Sequence, residues 1–278
     1  MRRADEADVP RIKDFLQAHI ATSMFPLSNL EKYGTEGHDY SMRFQVIEDA
    51  GAITGVLPVT QRGMIFPQLQ PNQIEAAAQA LKGLNAIGII GAASQVAALK
   101  SALGQDIPTT LDAVEPHFAL SLADMDMPAT EGAKLVPLSE ADYDLMLDWR
   151  AAYDVEALKT DPKKARDIAK QSMVQYLKND SHRVLIVDGK PVCTTGFNAT
   201  TPMCVQVGGV YTPPDLRNRG YARLAVAMHL NEAQARGVTD AILFSASTAA
   251  AKAYIAIGFR QIGEFTLMLF KEPTVLNG

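Results

Sequence analysis

The sequence predicts an α/β protein of the α+β kind, built from two like domains. Three observations predict it. Apolar residues recur at strand spacing in some stretches and at helix spacing in others. The same order of elements occurs twice along the chain. Between the two series lies Asp124–Gly132, which has no periodicity. With 278 residues the chain holds two domains of ordinary size, read here as 1–130 and 131–278.

The first half opens at helical spacing with Val9, Ile12, Phe15, Leu16 and Ile20. Phe44–Ile47 and Ile53–Val59 form a strand pair around the turn residues Asp49-Ala50-Gly51. Met64–Phe66 is a short apolar stretch, and Pro71-Asn72 leads into an Ala-rich helix, Ile74–Leu81. Ala86–Ile90 reads as a buried strand, Gln95–Leu103 as a helix and Phe118–Leu122 as a last strand.

The second half repeats the series. Ser139 is placed to cap a helix, with Glu140 and Asp142 near its positive end. Leu145, Met146 and Trp149 continue it, and a second helix spans Pro162–Leu177. Val184–Val187 and Val192–Phe197 form a strand pair around Asp188-Gly189. Val205–Tyr211 is a longer strand, and the loop Thr212–Arg219 feeds a helix over Tyr221–Arg236. Ala241–Ser245, Ala249–Ala256 and Gln261–Phe270 read as strand, helix and strand.

Composition narrows the function classes. Apolar residues make up 47% and charged residues 21%, as in ordinary globular proteins. A net charge of -5 argues against a nucleic-acid partner, which needs a surplus of Lys and Arg. Cys193 and Cys204 fit no disulfide framework and no CxxC pattern. The histidines show no metal-ligand spacing, so no metal is expected. No apolar run reaches a membrane span, and the charged start Met1–Glu6 lacks the core of a signal peptide. The expectation is a soluble cytoplasmic protein, monomer or homodimer, without a membrane partner.

The chemistry concentrates after Val205–Tyr211. A strand runs into a turn, and the turn into a long helix whose first N–H groups and positive dipole end suit an anion. Gly220 allows close backbone approach, and Ala222 is small. Arg217, Arg219 and Arg223 add positive charge, and converging amides make an anion nest. In the first half the equivalent stretch, Pro67–Gln73, has neither glycine nor positive charge. Gly88–Ala93 suggests a dinucleotide turn, but the GxGxxG spacing fails.

Arg217-x-x-Gly220-x-Ala222 resembles the Arg/Gln-x-x-Gly-x-Gly/Ala signature of the GCN5-related N-acetyltransferases (GNAT), and Gly208–Pro214 is similar to their FR47-like branch. Ser247–Phe259 resembles the family's closing motif, with Tyr254 and Gly258-Phe259 at the family's spacing and Ser247 where Asn is frequent. The resemblance spans about residues 135–270 and reaches the first half only in element order. It implies a tandem GNAT fold, each domain a mixed, mostly antiparallel twisted sheet flanked by helices, with a degenerate first domain. It also implies acetyl-CoA as co-substrate. Val210, Tyr211 and Thr212 would pair with the pantetheine, Arg217, Asn218, Arg219, Gly220, Tyr221, Ala222 and Arg223 would hold the pyrophosphate, and Ser247 would flank the pantetheine.

Acetyl transfer to a primary amine needs a neutral amine, a stabilised oxyanion and a proton for the leaving thiolate. The resemblance makes Tyr254 that proton donor, and a backbone N–H near Tyr211 meets the oxyanion. Trp149, Tyr153 and Glu156 share a helical face where the family's first helices line the acceptor site. The general base stays open between Glu156, His182 and a water chain. His229 reads as structural. The acceptor is expected to be a small molecule, an amino acid or a peptide. Two rival readings remain: a non-catalytic acyl-CoA-binding regulator, and an O-acyl or longer-chain acyltransferase.

Overall fold

In the computed structural model, which describes residues 1–245 and 247–277, the order of elements is repeated in full. The first series is β1 (Arg2–Arg3), α1 (Val9–Ala18), α2 (Ile20–Tyr33), β2 (Met42–Asp49), β3 (Ala52–Thr60), β4 (Met64–Ile65), α3 (Ile74–Ala80), β5 (Asn85–Ala92), α4 (Ala93–Leu103) and β6 (Thr109–Ser121). The second is β7 (Ala133–Pro137), α5 (Tyr143–Leu158), α6 (Pro162–Asn179), β8 (His182–Val187), β9 (Lys190–Thr200), β10 (Cys204–Tyr211), α7 (Tyr221–Gln234), β11 (Asp240–Phe244), α8 (Thr248–Ile255) and β12 (Arg260–Val275).

Two compact units divide the chain: Met1–Glu115 with Gly263–Gly278, and Pro116–Ile262. Within the first unit the strand order is β1-β2-β3-β4-β5-β12, and within the second it is β7-β8-β9-β10-β11-β6. In each, one pair is parallel, β4 with β5 and β10 with β11. The remaining pairs are antiparallel. Each half therefore lends its closing strand to the other unit. Periodicity along the chain reveals the repeat but carries nothing about which sheet edge a closing strand joins.

In the first unit Ile12, Leu16, Leu27 and Leu30 of α1 and α2 pack on Phe44, Val46 and Val56. A separate cluster packs Ala77, Ala78, Val96 and Leu99 of α3 and α4 on Leu57, Ile89 and Met268. The second unit is covered alike. Met146, Leu147, Ala169 and Met173 of α5 and α6 pack on Val184. Val226, Leu230 and Ala233 of α7 pack on Val205, Val207, Phe118 and Leu243, with Tyr254 and Phe259 in the same cluster. No helix among the described residues is long and apolar enough to cross a membrane.

Local structure corrects the sequence reading in four places. Helix α2 was not expected: Pro26 lies inside it, and its buried Ser23 and adjacent Thr22 bond Gln68 Oε1, so its inner face is not purely apolar. The short strand β7 also escaped, because its side chains are half-buried or exposed. The cap of α5 is Asp142, whose Oδ1 accepts from Leu145 N at 2.8 Å, while Leu138–Glu140 form a 3-10 turn of their own. Strand β12 continues past Phe270 through a register shift between Leu269 and Thr274.

Phe259 is 1% exposed and meets Tyr254 edge-on at 6.1 Å between ring centroids. Phe259→Ala should lower unfolding free energy by about 3–5 kcal/mol in urea titration, the range for deleting a buried aromatic ring. The thiols offer a second check. Burial pushes Cys193 and Cys204 up to about 12, so both stay protonated at mildly alkaline pH. Neither should react with a disulfide reagent in the folded protein, and both should react in denaturant; rapid native labelling would contradict this packing.

Candidate active site

Strand β10 organises the site. It pairs with β11 from Cys204↔Asp240 to Val207↔Leu243, then runs on to Tyr211. On its other edge it stays with β9, where the register slips between Gly208 and Tyr211. Gly209, at φ +61°, sits within this bulge. Beyond Val207, then, β10 turns one edge of main chain away from the ladder with β11, and such groups need hydrogen-bond partners. The glycines are required by space as well. A side chain at Gly208 would run into Asn198, and a Cβ on Gly209 would come within 2.9 Å of His182 Nε2.

The loop after β10 ends in a nest. Pro214–Leu216 make a 3-10 turn and Arg217 is extended, whereas Asn218 and Gly220 adopt φ +63° and +80°. Gly220 is the N-cap of α7 and supplies no side chain to satisfy the first amides, so those of Tyr221, Ala222 and Arg223 open toward the loop. Arg223 folds back over Gly220, its Nε 3.2 Å from where a Cβ would stand. Arg219 Nη2 donates to Asp215 O at 3.3 Å. Arg217 acts as a brace: Nε donates to Thr212 O at 2.9 Å, and Nη2 to Glu156 Oε2 at 2.7 Å. Its charge is thus countered by Glu156, whereas Arg219 and Arg223 at the helix start have no ion-pair partner among the described residues. Amides, dipole and cations together fit a pyrophosphate.

On the α5–α6 side of the sheet, a cavity of ≈ 20 Å³ lies against the bulge, with room for about one water-sized group. Trp149, Arg150 and Tyr153 of α5, Tyr176 of α6, His182 of β8 and Gly209 and Tyr211 of β10 line it. The Trp149 and Tyr211 rings are 6.2 Å apart. The Arg150 guanidinium lies 4.9 Å from the Tyr153 ring and 5.3 Å from that of Tyr176, within cation–π range. Its Nη2 is 2.6 Å from Asp154 Oδ1, an ion pair with poor hydrogen-bond geometry, since both Asp154 oxygens and Arg150 Nε lack a hydrogen bond among the described residues. Burial raises Asp154 against the opposing pull of Arg150.

His182 is clamped from several sides. Its Nδ1 meets Ser181 Oγ at 2.9 Å, and its ring stacks on Tyr176 at 3.5 Å. Arg183, next in sequence, bonds Asp180, Glu232 and the His182 carbonyl, which pins the strand's start. Nε2 is buried and has no hydrogen-bond partner among the described residues. Burial, then the charges of Arg150 and Arg183, push this imidazole down to about 3, so it is neutral at physiological pH.

Tyr254 lies on α8, whose N-cap Ser247 accepts from Ala250 N at 3.0 Å. Burial raises its phenol above the usual value near 10, and Cys193 and Tyr153 add to the shift. It therefore stays protonated across the working pH range. Cys193 Sγ in turn receives Thr212 Oγ1 at 3.2 Å, which ties Tyr254's surroundings to the end of β10.

Apart from Tyr254 and Ser247 at α8, the sequence-derived residues thus fall into three groups. Arg217, Asn218, Arg219, Gly220, Tyr221, Ala222 and Arg223 form the nest. Val210, Tyr211 and Thr212 follow the bulge. Trp149 and Tyr153 line the cavity, whereas Glu156 faces solvent and pairs with Arg217. Arg150, Asp154 and Tyr176 were missed. The i,i+4 spacing of Arg150 and Asp154 was visible, but such spacing is usual on solvated helix faces; only burial gives it meaning.

Residues 143–259 match the model of the acetyltransferase (GNAT) family. Among solved structures, the chain is similar to a GCN5-related N-acetyltransferase from Sphaerobacter thermophilus at 16% identity and TM-score 0.59, over 100% of this chain and 96% of that one. It is similar to the tandem GNAT protein of the clavulanic acid biosynthesis pathway at 14% identity and TM-score 0.58, over 98% and 97%. A Drosophila protein matches at 12% identity and TM-score 0.62, over 96% and 97%. At these identities the likeness is one of fold. No curated protein matches the chain. Residues 143–259 therefore match the GNAT family model, and the whole length of the chain follows the fold of a tandem GNAT protein.

Proposed function

We propose that the protein is an acetyl-CoA-dependent N-acetyltransferase, transferring acetyl to a primary amine of a small molecule, amino acid or peptide by direct attack in a ternary complex. The observation that carries this reading is the coincidence of two features on one strand. β10 leaves β11 after Val207, and the loop that follows presents uncapped amides with Arg219 and Arg223. The family's chemistry is acetyl transfer from acyl-CoA, and that pair of features supports its use here.

In this reading Tyr221, Ala222 and Arg223 give their amides to the pyrophosphate, with Asn218 and Gly220 shaping the nest. Val210, Tyr211 and Thr212 run beside the pantetheine, and a main-chain N–H at the bulge meets the carbonyl oxygen as charge develops there. Ser247 flanks the same channel while capping α8. Tyr254, held protonated, donates to the leaving sulfur. The acceptor approaches from the α5–α6 side, past Trp149 and Tyr153, and Glu156 holds Arg217 in place.

The first domain takes a non-catalytic part. Its equivalent loop is filled by its own side chains: Gln73 Oε1 accepts from Gln70 N at 2.9 Å, and Gln95 Oε1 from Leu69 N at 2.7 Å. Amides already satisfied this way are poor anion ligands.

Calorimetric titration of acetyl-CoA should give one equivalent bound to the wild type and none to Gly220→Glu, because bulk and negative charge would occupy the nest. Two equivalents would refute the inactive first domain, and undiminished binding to the variant would refute the loop. Tyr254→Phe should keep acetyl-CoA affinity while lowering kcat about 10²–10⁴-fold, the usual worth of a positioned acid. Unchanged turnover of an accepted amine would remove Tyr254 from the mechanism.

A further inference from the structure

The cavity beside the bulge has an unusual lining for a site that takes amines. Its charged lining residue is Arg150, a cation, and no carboxylate lines it; Asp154 is fully buried behind that guanidinium. The groups facing His182 are Arg150 and Tyr153 from α5, Tyr176 from α6, Tyr211 from β10 and Arg183 from its own strand, with His229 of α7 close enough to couple to it. An ammonium entering here would meet the Arg150 guanidinium, whose counter-ion Asp154 does not line the cavity. A nearby cation lowers the pKa of a guest amine just as it lowers that of an imidazole, by disfavouring the charged form.

We propose that this cavity receives the acceptor's amino group, that it selects amines arriving as the free base, and that His182 Nε2 is the hydrogen-bond acceptor orienting the nitrogen toward the bulge. This rests on the reading above, in which the thioester lies along β10. Four observations support it. Nε2 is buried and unpartnered among the described residues, it abuts Gly209, the cavity holds about one non-hydrogen atom, and the imidazole is fixed by Ser181 and Tyr176. With Nδ1–H donated to Ser181 Oγ, Nε2 offers its lone pair to one N–H of the amine. The nitrogen's own lone pair is then free to attack.

The bookkeeping of atoms is simple. A bond forms between nitrogen and the acetyl carbon, the carbon–sulfur bond breaks with its electron pair on sulfur, Tyr254 gives that sulfur a proton, and the proton that nitrogen loses passes to solvent, which reprotonates Tyr254. An imidazole this weakly basic does not deprotonate a hydroxyl, whereas a neutral amine is already a nucleophile. The site therefore favours nitrogen over oxygen. It also favours weakly basic amines, such as the terminal α-amino group of a peptide with pKa about 8, over lysine-like amines near 10.4.

His182 is a positioning residue in this scheme, and its nitrogen resonances report on it directly. Protein labelled with ¹⁵N-histidine and saturated with coenzyme A would be titrated at neutral pH with methoxyamine, which is neutral there, and with methylamine, which is protonated. Methoxyamine should shift His182 Nε2 saturably and methylamine should not, with Nδ1 as the protonated nitrogen in both. With methoxyamine as acceptor, His182→Phe should lower kcat/KM about 10–100-fold, the worth of one buried hydrogen bond. His182→Gln, which keeps an acceptor atom, should recover part of that loss, and KM for acetyl-CoA should not change. Equal shifts with both amines, no shift with either, or full activity in His182→Phe would each overturn the proposal. Failure of coenzyme A to bind the wild type appears separately by calorimetry and would remove the underlying reading instead.

Discussion

The site depends on where β10 stops pairing with β11. A parallel pair that continued to Tyr211 would consume the main-chain groups of Gly208–Tyr211 in a ladder, leaving a sheet with no edge to offer. The pairing ends at Val207 because the strand bulges on its other side, and the bulge is held open by glycine. Gly209 takes a left-handed φ that most residues resist, and any side chain there would displace His182. One backbone irregularity thus frees an edge on the β11 side and makes room for an imidazole toward α5.

The polar groups around that imidazole are expensive to bury. Arg150, Asp154 and His182 sit in an otherwise apolar region, and their hydrogen bonding is incomplete. Packing stability does not explain them, since a well-filled apolar core would serve at least as well. What the cluster does provide is a fixed field. The cation of Arg150 is held by two tyrosine rings and by Asp154, so it cannot turn away from an incoming charge. The neighbouring Arg183 network anchors the strand from which His182 projects.

Much of this was legible in the chain. The shape of the loop Arg217–Ala222 announces itself because glycine, proline and a following helix are sequence-local signals. Tyr254 with Gly258-Phe259 was legible for the same reason. Glu156 was not read correctly in kind: helical spacing put it beside Trp149 and Tyr153, but a small rotation about the helix sends it to Arg217 instead. The cavity residues were illegible. Arg150 and Asp154 look like a solvated pair, and Gly196 and Gly209 look like strand weaknesses until His182 is seen packed against both. The exchanged closing strands were hidden too, since strand partnership is a long-range property.

The duplication supplies its own control experiment. Both halves build the same series of elements, and both run a short or bulged strand toward a helix after one parallel pairing. In the first half the turn between β4 and α3 is filled: Gln68 answers Thr22 and Ser23, Gln73 answers Gln70 and Thr54, and Gln95 answers Leu69. In the second half the matching turn has glycine and arginine; neither α3 nor α7 takes a side-chain cap, so the contrast lies in the loop ahead of the helix. Glutamine closes the loop by giving the backbone internal partners, which stabilises a turn with no ligand. Leaving the amides open costs stability unless an anion completes them. The fold is therefore shared, and on the proposed reading the difference between the two domains reduces to whether a few loop N–H groups ahead of the helix are satisfied from within.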